Sequence, residues 1–146
     1  MASELKVDKF TGVTTAGSID VVGEGNSTTT NLQQGLCKAW VNFNGQSTPA
    51  VRDSFNAGSI TDNGTGDFSI AITNNMGNGN YSINTGLAAY SGDGDYRWPI
   101  FIKANSANDW STMATSSYRV QCNQVANGAS AVDPSLVNKS INGDLA

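Results

Sequence analysis

The strongest constraint on this chain is the strict alternation in Asp67-Phe68-Ser69-Ile70-Ala71-Ile72-Thr73. Successive side chains of an extended strand point to opposite faces, so Phe68, Ile70 and Ile72 share one side and the residues between them the other. Ser117-Tyr118-Arg119-Val120-Gln121-Cys122 repeats the pattern with Tyr118, Val120 and Cys122 inward. Lys38-Ala39-Trp40-Val41-Asn42-Phe43 puts Ala39, Val41 and Phe43 on one side and Trp40 on the other. Further candidate strands are 50–55, 80–85, 87–91 and 96–103. Within the last, Pro99 cannot donate to a ladder, which predicts an edge strand or a bulge.

Turn chemistry falls between these runs. Asp62-Asn63-Gly64-Thr65-Gly66 lies between Ile60 and Phe68, as a hairpin loop should. Asn44-Gly45, Gly77-Asn78-Gly79 and Gly92-Asp93-Gly94-Asp95 punctuate the others. No stretch keeps apolar residues at helical spacing for long, so a coiled-coil stalk is not expected. Gly, Asn, Ser and Thr make up 62 of the 146 residues. They serve helices poorly and tight turns well. Twelve aromatic residues and the alternating runs argue against disorder of the centre. The fold class expected is all-β: a small antiparallel β-sandwich or barrel-like knob with extended N- and C-terminal arms.

Three zones are predicted: an N-terminal arm over 1–35, a β domain over 36–125, and a C-terminal arm over 126–146. In the first, Glu4-Leu5-Lys6-Val7-Asp8 and Ser18-Ile19-Asp20-Val21-Val22 alternate over short spans. Its few apolar residues cannot bury one another. Leu5, Val7, Phe10, Ile19 and Val21, with Leu136 and Ile141 of the C-terminal arm, are therefore the candidate subunit or particle interface. Cys37 and Cys122 fall on the first and last strands of the β domain. A disulfide is open to them if those strands are neighbours; two buried thiols of a reducing cytoplasm are the preferred reading.

Charge narrows the function. Net charge is −4, and the eight basic residues are scattered, so no stripe follows a phosphate backbone and no nucleic-acid partner is expected. The N-terminus MASELKVDKF lacks the roughly 7–15-residue apolar core of a secretory signal. No apolar run approaches the roughly 18 residues of a membrane span, so neither export nor membrane insertion is expected. The chain has no histidine, which removes Ser-His-Asp and Cys-His catalysis and most metal-assisted hydrolysis. The close carboxylate pairs, Asp62 with Asp67 and Asp93 with Asp95, sit in Gly-rich loops without bulky apolar neighbours to raise a pKa. We expect no enzyme, no cofactor and no metal site; the Asp62–Asp67 loop lacks the spacing and terminal Glu of an EF-hand. The aromatics Tyr90, Tyr96, Trp98, Phe101 and Trp110 crowd one stretch beside Asn and Asp, a pattern that can stack on sugars. Tyr90, Tyr96, Trp98 and Trp110 are the candidate ligand-binding residues, with packing of Trp98 and Phe101 in the core or an interface as the competing reading.

The run Lys38–Gly45, followed by Val51–Asn56 and Ser59–Asp67, resembles a domain that recurs in tail-fibre-like and other virion proteins of tailed, often marine, bacteriophages. Ser3-Glu4-Leu5-Lys6-Val7-Asp8-Lys9 is similar to the N-terminus of many short proteins of that group. The likeness is strong over 37–73 and looser to about residue 125. It implies a virion structural protein, a homotrimer, made in the host cytoplasm and carried on the particle. It brings no catalytic residues. A long fibre has a repetitive shaft before its knob and this chain has none, so the expectation is a head-decoration (cement) or short-fibre protein. Its arms would clamp neighbouring copies and other capsid or tail proteins. The alternative is a tail-fibre adhesin module for a host surface glycan.

Overall fold

The computed structural model describes residues 4–12, 19–23, 25–88, 98–106, 109–123 and 130–146, without the side chains of Leu87, Ala88 and Trp98. The chain divides into two compact units, 1–36 and 37–146.

The first unit is small. β1 (Asp20–Val22) pairs antiparallel with β2 (Thr29–Asn31), and a single helical turn, α1 (Leu32–Gly35), follows. Asn31 caps that turn, its Oδ1 accepting from the Gln34 N–H at 3.1 Å. The ribbon closes where the Gly23 N–H donates to the Thr28 carbonyl at 2.8 Å. None of the described residues of 1–36 is buried. Glu4–Asp8, expected as a strand, joins no ladder among the described residues and is exposed throughout.

The second unit holds two antiparallel sheets. One runs β4 (Ala50–Phe55), β3 (Cys37–Asn44), β12 (Val137–Asn142), β7 (Ser82–Thr85). The other runs β5 (Ala57–Gly64), β6 (Asp67–Ile72), β11 (Ser117–Cys122), β9 (Trp98–Ile102), β8 (Leu87–Ala88), with β10 (Met113–Ala114) also on β11. Alternation works as the sequence predicts. Phe68 faces Val120 and Ile70 faces Tyr118 across the β6–β11 ladder, and all four are buried. From the other sheet Ala39, Val41, Phe43, Val137, Ile141 and Ile83 join the same core. The Phe43 and Phe68 rings meet edge to face at 5.4 Å. Each such buried side chain contributes roughly 1.5–3 kcal/mol by leaving water. The whole is sandwich-like and all-β. Pro99 lies in β9, where only the two-residue β8 pairs beyond it, so its missing N–H costs little.

The chain passes between sheets at the β4–β5 corner. Asn56 turns it with φ of 53°, a left-handed conformation Asn tolerates better than most residues. Its Nδ2 donates to the Lys38 carbonyl at 2.9 Å and its Oδ1 accepts from the Asn74 N–H at 2.6 Å. The β5–β6 hairpin turns at Thr65-Gly66, with Gly66 at φ +69°. A Cβ on Gly66 would lie 2.5 Å from the Cys122 carbonyl oxygen, so this position accepts nothing larger.

The C-terminal arm requires correction. Residues 137–142 form β12, a central strand paired with β3 on one side and β7 on the other. Val137 and Ile141 are fully buried, so Ile141 belongs to the core and not to an interface; Leu136 is half-buried at the start of the strand. The segments on either side are also tied in. The Gly45 N–H donates to the Pro134 carbonyl at 2.8 Å, the Gly66 N–H to Asp133 Oδ1 at 2.6 Å, and the Ala146 N–H to the Asn75 carbonyl at 2.9 Å. The cysteines are free. Cys37 lies on β3 of one sheet, exposed, and Cys122 on β11 of the other, buried, so the strands are not neighbours and only one thiol is inside.

Candidate functional site

Alternation that buries one side of the four-stranded sheet delivers the other to solvent. Along one row Phe55, Trp40, Ser140 and Asn84 stand in register across β4, β3, β12 and β7. The next row carries Asp53, Asn42 and Asn138. Trp40 keeps 37% of its surface exposed and Phe55 54%, although both belong to regular strands. Beside Trp40 lies an open depression of about 340 Å³, lined by Trp40, Asn84, Gly86, Asn138 and Ser140. Val41 and Lys139 also line it, and since their side chains are buried, their backbone supplies the floor. The Asn84 Nδ2 donates to Ser140 Oγ at 3.2 Å and to Asn142 Oδ1 at 3.1 Å, which fixes the amide's orientation. Arg52, at the edge of this face, is already occupied: its Nη2 donates to the Ser135 carbonyl at 2.6 Å and its Nη1 to the Phe43 carbonyl at 3.3 Å.

The aromatic segment singled out from sequence is only partly in view. Trp110 is 56% exposed and Phe101 50%. Tyr90 and Tyr96 lie outside the described residues, as does the Trp98 side chain. Of the interface residues, Leu5, Val7, Phe10 and Val21 are exposed and Ile19 is half-buried.

Asp67 and Asp62 both hold local structure. Asp67 is buried on the outer side of the six-stranded sheet, where Arg119 Nε and Nη2 grip its two oxygens at 2.6 and 2.8 Å and Lys103 Nζ adds a third contact. Burial pushes its carboxyl up, but the hydrogen bonds and charges of Arg119 and Lys103 outweigh that and hold it below the usual range. A general acid needs the opposite shift. Asp62 closes the adjacent turn, its Oδ1 accepting from the Gly64 N–H at 2.9 Å. No group of three or more Cys, Asp or Glu among the described residues could hold a metal ion.

Lys139 is the unexpected one. It faces inward from β12, 3% exposed, and its Nζ has no hydrogen-bond partner among the described residues. Burial pushes its amine from 10.5 down to about 7, against a weaker opposing pull from Cys122. The Cys122 thiol is itself pushed up to about 12 by burial.

Trp40 was legible as an outward aromatic from the alternation of 38–43. Its neighbours Ser140, Asn138 and Asn84 were not, because their placement depends on β12. No family model, curated protein or solved structure matches the chain.

Proposed function

We propose that this chain is a structural protein of a bacteriophage particle surface, a head-decoration or short-fibre component. Residues 37–146 form its β-sandwich knob, and residues 1–36 clamp neighbouring copies, with a homotrimer as the assembly. One observation carries the reading. The N-terminal unit exposes Leu5 at 73%, Phe10 at 60%, Val22 at 53% and Val21 at 51%, and it buries none of its described residues. A two-stranded ribbon with no covered face is marginal in water, so a surface supplied by another subunit is the natural source of its order. Extended segments of this kind dock by strand addition, and each copy gains little. Symmetric assembly multiplies the gain. The resemblance of 37–73 to virion domains supplies the setting.

Deleting residues 1–22 is expected to leave the knob folded while abolishing its incorporation into particles, read by mass spectrometry of purified virions. Normal incorporation of the truncated chain would overturn the clamp.

A further inference from the structure

We infer that the outer face of the four-stranded sheet is a binding site for a neutral pyranose sugar, with Trp40 as the stacking platform. This does not depend on the clamp proposed above, which involves the other unit.

Three features of the face lead there. The first is an aromatic on the outward side of a central strand that keeps 37% of its surface exposed. Trp40 sits on β3 with its neighbours Ala39 and Val41 in the core, and its own ring is held out over the sheet beside Phe55. The C–H face of a pyranose ring is apolar and flat. An indole offers it a large rigid surface at small conformational cost.

The second is the chemistry of the depression beside that ring. Its remaining side chains are the amides of Asn84 and Asn138 and the hydroxyl of Ser140. Amide and hydroxyl groups both donate and accept, which suits the hydroxyls of a sugar. The Asn84 Nδ2 is committed to Ser140 Oγ and Asn142 Oδ1, so its carbonyl oxygen is left to accept and the Ser140 hydroxyl proton to donate. These directions are set before any ligand arrives, which lowers the cost of binding.

The third is the absence of available positive charge: the charged group in the neighbouring row is the Asp53 carboxylate, which would repel an anion. The one charged residue at the depression is Lys139, and its side chain turns away into the core. Arg52 spends its guanidinium on Ser135 and Phe43 carbonyls. A phosphate or carboxylate ligand would find no partner here, whereas an uncharged polyol would.

Gly86 keeps the depression open. A Cβ added there would lie 3.5 Å from the Asn138 carbonyl oxygen, an ordinary contact, and no left-handed φ restricts the position. Gly86→Leu therefore fills the depression while sparing the fold.

The test is an NMR titration of the full-length protein, following the indole N–H signals. Methyl glycosides of glucose, galactose, mannose and N-acetylglucosamine are added to millimolar concentrations. At least one is expected to shift the Trp40 indole saturably. Trp40→Ala and Gly86→Leu, each checked for an unchanged thermal midpoint, are expected to weaken binding about tenfold or more, the range that loss of one stacked ring produces. Trp110→Ala is expected to bind as the wild type does. The inference is overturned if none of the four glycosides moves the Trp40 signal, or if binding survives both variants. It is also overturned if Trp110→Ala is the variant that loses binding. A Trp40 signal that shifts with protein concentration alone would make the face a contact between copies instead. Correct particle incorporation has no bearing on any of these outcomes.

Discussion

Residues 1–36 and 130–146 look alike as sequence and behave differently as structure. Both are polar, thinly supplied with apolar residues and free of long alternating runs. The first forms a short ribbon and buries none of its described residues, while the second runs through the middle of a sheet and places Val137 and Ile141 at the centre of the core. The difference lies in what each segment is offered. β12 has β3 and β7 on its two sides and a core beneath it, so every second residue is covered. β1 has only β2. A strand's apolar content therefore matters less than the number of its faces and edges that find partners.

The sharpest way to break this contrast is to remove each segment in turn. Deletion of residues 136–146 should abolish cooperative unfolding of the knob, seen as loss of the near-ultraviolet circular dichroism signal and of any thermal midpoint. It strips both neighbours of their shared strand. A truncated chain that still melts cooperatively would mean β12 is dispensable.

Lys139 is the next largest effect, because it is what β12 gives up by being central. Its folded value, about 7, lies below its unfolded 10.5. Above pH 10.5 the amine is neutral in both states and folding carries no penalty. Between 10.5 and 7 the unfolded chain takes up a proton that the folded one does not, so stability falls as pH falls. Below 7 the penalty is complete, about 5 kcal/mol in all. Lys139→Met should therefore raise the urea midpoint at pH 7, and its advantage over the wild type should fade toward pH 10. An advantage independent of pH would show that the amine reaches water.

Gly66→Ala tests how the C-terminal segment closes over the β5–β6 turn. The new Cβ would sit 2.5 Å from the Cys122 carbonyl and 2.8 Å from the Val132 backbone, at a φ of +69°. A loss of about 3 kcal/mol in denaturant unfolding is expected, with the turn pushed off residues 132–133. The smallest effect should come from deleting residues 1–36, which should change the stability of the remaining knob by less than about 0.5 kcal/mol. A larger loss would mean that this unit contributes to the core after all.

The sequence made much of the knob legible. β3, β6 and β11 were found because their inward residues are uniformly apolar and Gly or Asn closes the runs, whereas β4 buries none of its residues. β12 was hidden by one residue: its inward set is Val137, Lys139 and Ile141, and a lysine in the middle erases the period. β5 was obscured by irregularities between Ala57 and Ile60 and between Asp62 and Gly64, which interrupt the two-residue repeat. The disulfide question turned on which sheet each cysteine joins, and pairing between distant strands is not written in local pattern. The same gap hid the Trp40 face. Its aromatic was readable, but the amides and hydroxyl beside it come from β7 and β12, placed there by ladders that span most of the chain.

Pairing of β3 with β12 joins residue 37 to residue 142. On a ribosome, the strand made first must therefore wait for a partner about a hundred residues away in synthesis, with its apolar side covered by nothing permanent. Contacts so remote in sequence form slowly, since a long loop has to close before any reward arrives. The knob should thus mature only after most of the polypeptide has emerged, and its nascent form should present a sticky open slot between β3 and β7. That interval is when wrong partners would insert their own strands, and it is where a chaperone would be needed most.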